Sequence, residues 1–284
     1  MRVTSLPHLP PRPDDGHKGM FGRVLIVGGN DQMIGAPVLA GTAALRMGGG
    51  LVQIAVPRAI LAAALSITPE LIGLGLGKAA GKDQLLEAAQ KADAIVIGPG
   101  LGRSPEAEAR VTRLVRLEKP MVVDADGLNI LAAGKKWPGY FKAQAVLTPH
   151  PGEMARLARL LGESNVPSDE AGRIAIATKA ATTFGQVIVL KGKNTVITDG
   201  SRVYVNTTGD SSLSKAGTGD LLSGMTGTLL AQAMDGFDAA CAATYLHGLA
   251  GEIAGKRLGK RCVLAMEVID SLPQAIAEYE QKFG

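Results

Sequence analysis

Six short runs of aliphatic and β-branched residues, each ending abruptly in glycine, proline or polar residues, constrain this chain more than any other feature. They are Arg23–Gly29, Leu51–Pro57, Ala94–Gly100, Met121–Asp126, Ala145–Pro149 and Val187–Lys191. Their apolar character is nearly continuous rather than alternating, the pattern of strands covered on both faces in a parallel sheet. Between them lie Ala/Leu-rich segments with helical spacing, such as Val38–Met47, Asp83–Ala92, Ala107–Leu117 and Asp169–Phe184. Strand and helix in alternation predict a doubly wound, mostly parallel α/β sheet flanked by helices. Thr195–Val205 departs from this pattern: Asp199-Gly200 separates two strand-like halves and predicts a β-hairpin. A helical C-terminal third follows, including Leu221–Ala233 and Ala239–Leu258. Residues 1–15, proline-rich through Pro13, are expected to form an extended arm. Residues 16–284 are expected to form one domain, since no long Pro/Ser linker divides them.

Composition narrows the function classes. The net charge of +4 is not gathered into a basic tail, so a nucleic-acid partner is not indicated, whereas an anionic small molecule is compatible. Cys241 and Cys262 lack metal-type spacing and read as reduced thiols. No signal-peptide pattern opens the chain, and no apolar run approaches the ~20 residues that cross a bilayer. A soluble cytoplasmic protein with no membrane partner is expected. The 37 glycines, in a chain without repeats, point to several tight strand-to-helix turns where backbone approaches a ligand.

Ligands of open α/β sheets bind beyond the carboxyl ends of the strands. The residues to examine are therefore Gly28-Gly29-Asn30, Gly98–Gly102, Asp124-Ala125-Asp126, Thr148-Pro149-His150 and Lys191-Gly192-Lys193. The strongest local signal lies elsewhere, in Ala216-Gly217-Thr218-Gly219-Asp220 ahead of the helical pattern Leu221, Leu222, Met225, Leu229. Glycines opening a helix leave backbone N–H groups aimed outward, where the aligned peptide dipoles favour an anion. Gly217, Thr218 and Gly219 thus read as an anion hole for a phosphoryl group, and Asp220 as a carboxylate placed to take a proton from an attacking hydroxyl. The simpler alternative makes Asp220 a helix-capping residue and the glycines an ordinary turn. The chain lacks the Gly-x-x-x-x-Gly-Lys-Ser/Thr of P-loop enzymes, and Gly28-Gly29 lacks full dinucleotide-fold spacing.

The strand-end strings resemble the NAD(P)H-hydrate dehydratases of the ribokinase-like superfamily. The resemblance rests on Lys18–Gly29, Gly35–Ala40, Gly98–Gly102, Asp124–Asn129, Leu147–Glu153, Lys191–Thr195 and Gly217–Asp220, all in the family's order. It implies a ribokinase-like three-layer fold with the hairpin near the nucleotide site. It also implies ADP as co-substrate, Mg²⁺, and dehydration of the S epimer of hydrated NADH or NADPH, leaving AMP and phosphate. By the same resemblance Asp220 is the catalytic base, and Lys191, Gly192, Lys193, Asn194, Thr195 and Gly219 hold the nucleotide. Ala40, Gly102, His150 and Asp220 meet the hydrated cofactor, and Glu153 orients Mg²⁺ through water. Relatives suggest a homotetramer. They often carry a fused epimerase, for which the chain is too short, so a separate epimerase protein is expected.

Several residues have a plainer reading. His150 between prolines fits a surface turn, and Glu153 a carboxylate favoured by a helix N-terminus. Asp124 and Asp126 fit metal or ribose contacts, or a cap on the helix containing Asn129. Lys191 and Lys193 fit phosphate contacts, or solvated residues after a strand. One departure from the family stands out: relatives carry Gly-Asn-Pro-Gly-Met-Ala-Thr-Gly where this chain reads Gly209–Ala216, which places the cation Lys215 close to the expected phosphoryl path. A vitamin or sugar kinase, and a non-catalytic nucleotide-binding regulator, are the competing functions.

Overall fold

A computed structural model describes residues 1–77, 81–134 and 137–284. Nine strands form one sheet: Arg23–Val27 (β1), Leu51–Pro57 (β2), Ile72–Leu76 (β3), Ala94–Ile97 (β4), Met121–Val123 (β5), Ala145–Leu147 (β6), Val187–Leu190 (β7), Val196–Thr198 (β8) and Val203–Val205 (β9). Their order is β3-β2-β1-β4-β5-β6-β7-β8-β9. All pairs from β3 to β7 are parallel, and β7-β8-β9 closes with two antiparallel pairs. The connecting helices are Gly35–Arg46 (α1), Leu61–Ile67 (α2), Gly81–Lys91 (α3), Pro105–Leu114 (α4), Ala125–Ala133 (α5), Pro151–Ala158 (α6), Glu170–Phe184 (α7), Thr218–Ala231 (α8), Gly236–Leu258 (α9) and Ala265–Phe283 (α10).

The continuous apolar runs are explained by two cores, one on each face of the sheet. Val24, Ile26, Val96, Val122 and Val146 join α1, α8, α9 and α10 in one; Leu25, Val27, Ile95, Ile97 and Leu147 join α4 to α7 in the other. Neighbouring residues of a strand point to opposite faces, so both must be apolar. The result is the expected three-layer, doubly wound α/β fold.

Two differences from the sequence reading have local causes, and a third feature adds to it. β3 reads Ile-Gly-Leu-Gly-Leu, and its glycines dilute the strand signal; a Cβ at Gly73 would lie 2.7 Å from Leu61, so glycine lets α2 pack directly on this edge strand. The hairpin spans fewer paired residues than expected, because Asp199 builds a four-residue loop, accepting hydrogen bonds from the amides of Ser201 and Arg202 at 2.8 and 2.7 Å. The N-terminal arm is laced to the domain: Val3 N–H donates to the Val203 carbonyl at 2.7 Å, and the Tyr279 hydroxyl donates to the Pro7 carbonyl at 2.6 Å.

Candidate active site

The chain runs outward from β1 through β2 to β3, then returns to β4 on the other side of β1. This reversal opens a crevice at the carboxyl ends of β1 and β4. Its floor requires close backbone contact. Gly29 N–H donates to the Pro99 carbonyl at 2.9 Å, and a Cβ at Gly28 would stand 2.2 Å from that oxygen. Asn30 Nδ2 donates to the Gly100 carbonyl at 2.9 Å, and Gly102 N–H donates to Asp126 Oδ2 at 2.8 Å.

Moving along the same edge, the ends of β5, β6 and β7 deliver Asp124, Glu153 and Lys191. Lys191 Nζ pairs with Asp124 Oδ1 at 2.7 Å, and the Ser223 hydroxyl of α8 donates to Asp124 Oδ2 at 2.6 Å. Burial alone would push Asp124 up, but the Lys191 charge and hydrogen bonds from Lys191, Ser223 and Thr148 carry it below the usual carboxylate range. Burial alone would lower Lys191, yet the charges of Asp124 and Glu153 raise it. Both groups stay ionised. Asp124 occupies the cap position of α5 without a side-chain cap bond, so the capping alternative gives way to the ion pair. Asp126 instead braces the crevice through Gly102.

Asp220 faces this cluster from the first turn of α8. Burial is the main force that raises its pKa to about 7, helped by the charges of Asp124 and Glu153 and opposed by Lys191. Glu153 is raised to about 7 chiefly by its own burial, with Lys191 opposing and Asp124 adding. Lys191 is therefore a cation shared among three carboxylates, two of which titrate near neutrality.

The start of α8 is open. Its cap residue Gly217 has φ +94° and provides no side-chain bond; a Cβ there would be strained and 2.7 Å from Leu39. The first helical bond runs from Leu221 N–H to the Gly217 carbonyl at 3.4 Å, leaving the amides of Thr218, Gly219 and Asp220 ahead of the ladder. The Thr218 hydroxyl turns backwards, onto the carbonyls of Leu213 and Lys215 at 2.8 and 2.9 Å. A Cβ at Gly219 would lie 3.5 Å from Lys191 Nζ, so the ammonium sits beside the open amides.

A cavity of about 580 Å³ adjoins these amides, between the β8–β9 hairpin, the loop 209–216 and α9. Lys191, Gly192, Lys193, Thr195, Thr218 and Gly219 line it. Gly192 (φ +134°) and Asn194 (φ +53°) shape the turn, which the Thr195 hydroxyl closes onto the Gly192 carbonyl at 2.8 Å. Asn194 is not among the lining residues; its Nδ2 points to Glu170 Oε2 at 3.4 Å.

Other expected positions fall differently. His150 is half exposed and caps α6: its Nδ1 accepts from Gly152 N–H at 2.9 Å, and Glu153 Oε2 accepts from His150 N–H at 2.8 Å. Burial and the charges of Lys191 and Arg156 hold its imidazole below the usual range, so it is neutral. Ala40 is fully buried, with its carbonyl against α8 at Gly224, and presents no surface to the crevice. Lys215, expected close to the phosphoryl path, donates its Nζ to the Arg261 carbonyl at 2.8 Å and is not among the residues that line the cavity. Among the described residues no three-residue metal-ligand cluster occurs. The sequence reading passed over Ser223, Thr244, Asn206 and His247, whose places depend on α8, α9 and the hairpin meeting.

The family model described as NAD(P)H-hydrate dehydratase matches residues 24–274. The bifunctional NAD(P)H-hydrate repair enzyme of Moorella thermoacetica is 42% identical over 284 residues, covering 96% of this chain and 53% of that protein. The chain thus spans about half the length of the curated relatives it matches. The ADP/ATP-dependent NAD(P)H-hydrate dehydratase from Bacillus subtilis, co-crystallised with ATP and Mg²⁺, superposes with a TM-score of 0.82 at 32% identity, covering 96% and 95% of the two chains. A ribokinase-like superfamily protein from Enterococcus faecalis gives 0.82 at 27% identity, covering 96% and 93%. With a ribokinase-like fold, matched motifs and relatives at this level of identity, the chain belongs to the NAD(P)H-hydrate dehydratase family.

Proposed function

We propose that this chain dehydrates the S epimer of hydrated NADH or NADPH at the expense of ADP, yielding the restored cofactor, AMP and phosphate. The observation that carries the proposal is a half-buried Asp220, raised to about 7, in the first turn of α8, where the amides are open and the Lys191 charge is felt. A base whose pKa lies near ambient pH is suited to proton transfer. Asp220 takes the proton of the ring hydroxyl as its oxygen attacks the β-phosphorus and the AMP oxygen leaves. The amides of Thr218, Gly219 and Asp220 hold the transferring phosphoryl, with Lys191 neutralising its charge. The ring nitrogen then expels phosphate as the C–O bond breaks, and the adjacent ring carbon loses a proton to restore the double bond.

The nucleotide is proposed to occupy the 580 Å³ cavity, its phosphates toward Lys191, Lys193 and Gly219. The hydrated nicotinamide is proposed to enter the β1–β4 crevice beside Gly102 and His150, with Ala40 supporting α8 from beneath. Magnesium fits as an ion carried on the nucleotide phosphates: Glu153 is 5% exposed and engaged by His150, so it suits contact through water rather than direct ligation. A homotetramer is proposed from family resemblance, and a cytoplasmic setting from the sequence reading alone. No helix among the described residues is long and apolar enough to cross a membrane.

The test mixes hydrated NADH with the protein, Mg²⁺ and either ADP or ATP and follows the return of reduced-nicotinamide absorbance. Recovery with ADP supports the proposal; no recovery with either nucleotide rejects it. A kinase on this scaffold would consume nucleotide with a vitamin or sugar and leave hydrated NADH unchanged.

A further inference from the structure

Asp124 stands where an aspartate would ordinarily cap a helix, just before α5, yet its side chain makes no cap bond. The next residue, Ala125, adopts φ +47°, a left-handed conformation unfavourable for alanine. Backbone strain of this kind persists only where the surroundings impose it, and it gathers at functional sites. Instead of capping α5, the carboxylate spans two other elements. Its Oδ1 accepts from Lys191 Nζ at the end of β7 at 2.7 Å, and its Oδ2 accepts from the Ser223 hydroxyl of α8 at 2.6 Å.

These bonds close a ring. Ser223 lies one turn beyond Gly219 on the same face of α8, and its hydroxyl is 3.3 Å from the Gly219 carbonyl. A Cβ at Gly219 would lie 3.5 Å from Lys191 Nζ. Thus α8 holds Asp124 through Ser223, Asp124 holds Lys191, and Lys191 returns to the first turn of α8. Asp124 is 1% exposed and Ser223 fully buried, and neither lines the 580 Å³ cavity, whereas Lys191 does. The two buried groups therefore reach a ligand in that cavity only through the lysine.

We infer that Asp124 and Ser223 are positioning residues, which fix the Lys191 ammonium in register with the open amides of α8. This rests on the phosphoryl-transfer reading given above and adds two residues to it. A lysine carries its charge on a long, flexible stem, and transfer needs that charge at one place. A carboxylate near a phosphate subsite repels the bound ground state, so its benefit must be felt in the transition state.

The experiment combines steady-state kinetics on hydrated NADH and ADP with calorimetric binding of ADP. It compares the parent with Asp124→Asn, Ser223→Ala, Lys191→Met and the double variant Lys191→Met/Asp124→Asn. Asp124→Asn is expected to lower kcat by about 10- to 100-fold while binding ADP at least as tightly as the parent, since a negative charge near the phosphates is gone. Ser223→Ala is expected to lower kcat by about 3- to 10-fold with ADP affinity unchanged. In the Lys191→Met background, Asp124→Asn is expected to remove no further turnover, because its effect passes through the lysine. A merely structural role would lower affinity and turnover together and would add to the loss from Lys191→Met. That result overturns the inference, as does a parental kcat in Asp124→Asn. Full recovery of Asp124→Asn at raised Mg²⁺ also overturns it, by making the carboxylate a metal contact. If Asp124→Asn does not fold, Ser223→Ala carries the test by the same split of turnover from affinity. These outcomes leave the phosphoryl-transfer reading standing; a parent inactive on hydrated NADH with either nucleotide removes both.

Discussion

Helices α6 and α8 both begin at the carboxyl edge of the sheet, yet they treat their free amides in opposite ways. α6 closes its start with its own side chains: His150 accepts from the amides of Gly152 and Glu153, and Glu153 reaches back to the His150 amide. α8 begins at a glycine that offers no side chain, and its one nearby hydroxyl, on Thr218, points backwards into the loop. A side-chain cap is worth about 1 kcal/mol to a protein. α6 takes that stabilisation locally. α8 forgoes it and keeps three amides free beside Lys191 and Asp220, where a negative group would supply the missing partner. The difference leaves α6 closed by its own side chains and α8 open, which is why the phosphoryl group is proposed to sit at α8.

The largest expected effect comes from removing the carboxylate at the open end. Asp220→Asn should lower turnover by about 10²- to 10⁴-fold with ADP affinity nearly intact, checked by steady-state kinetics and calorimetry. An unchanged rate would take Asp220 out of the mechanism. In the parent chain Asp220 must be deprotonated to act, so kcat/KM should climb with pH through about 7, the value to which burial raises it. The stability sign runs the other way. A carboxylate raised in the folded state adds stability that is complete below about pH 4, the unfolded value, and is lost as pH rises through 7. Asp220→Asn should therefore melt above the parent at pH 8, by on the order of 1–2 kcal/mol, with the gap closing toward pH 4.

A capping side chain placed on α8 is the direct way to break the comparison. Gly217→Asp introduces a preferred capping residue, yet it should cut turnover by about 10²-fold, since its carboxylate would compete for the amides the phosphoryl needs. Strain at φ +94° and the nearby Leu39 should also lower its melting temperature. Full activity in this variant would show that the amides are not used.

Opening α6 should do much less. His150→Ala should cost about 1 kcal/mol, a fall of roughly 2–4 °C in melting temperature, with kcat nearly unchanged. A rise in KM for hydrated NADH as well would place the imidazole against the substrate in addition to its capping role. The smallest effect belongs to Lys215→Ala. Its ammonium rests on the Arg261 carbonyl at the surface, so stability should stay within about 0.5 kcal/mol and kinetics with ADP and ATP should not change.

The strands buried on both faces were the easiest part of the molecule to read, because every residue in them must be apolar. β3 escaped because Gly73 and Gly75 replace side chains that α2 covers, and a strand without side chains has no pattern. The open start of α8 was legible from Gly217-Thr-Gly-Asp220, since glycine at a helix start is a local backbone property. The partnership of Asp124 with Lys191 was not, because 67 residues separate them and Asp124 equally resembled a helix cap. The bond of Lys215 to the Arg261 carbonyl was not legible either, since closeness along the chain says little about direction when a turn intervenes.

By itself the sequence determined the layered α/β architecture, the sheet edge on which polar and glycine-rich residues gather, and the glycine-opened helix, all of which follow from hydrophobic periodicity and local backbone preference. Only the tertiary structure decided which carboxylates titrate near neutrality, where each lysine points, and that Ser223 meets Asp124. Those properties depend on burial and on charges brought together from distant segments, and neither is encoded within any one segment.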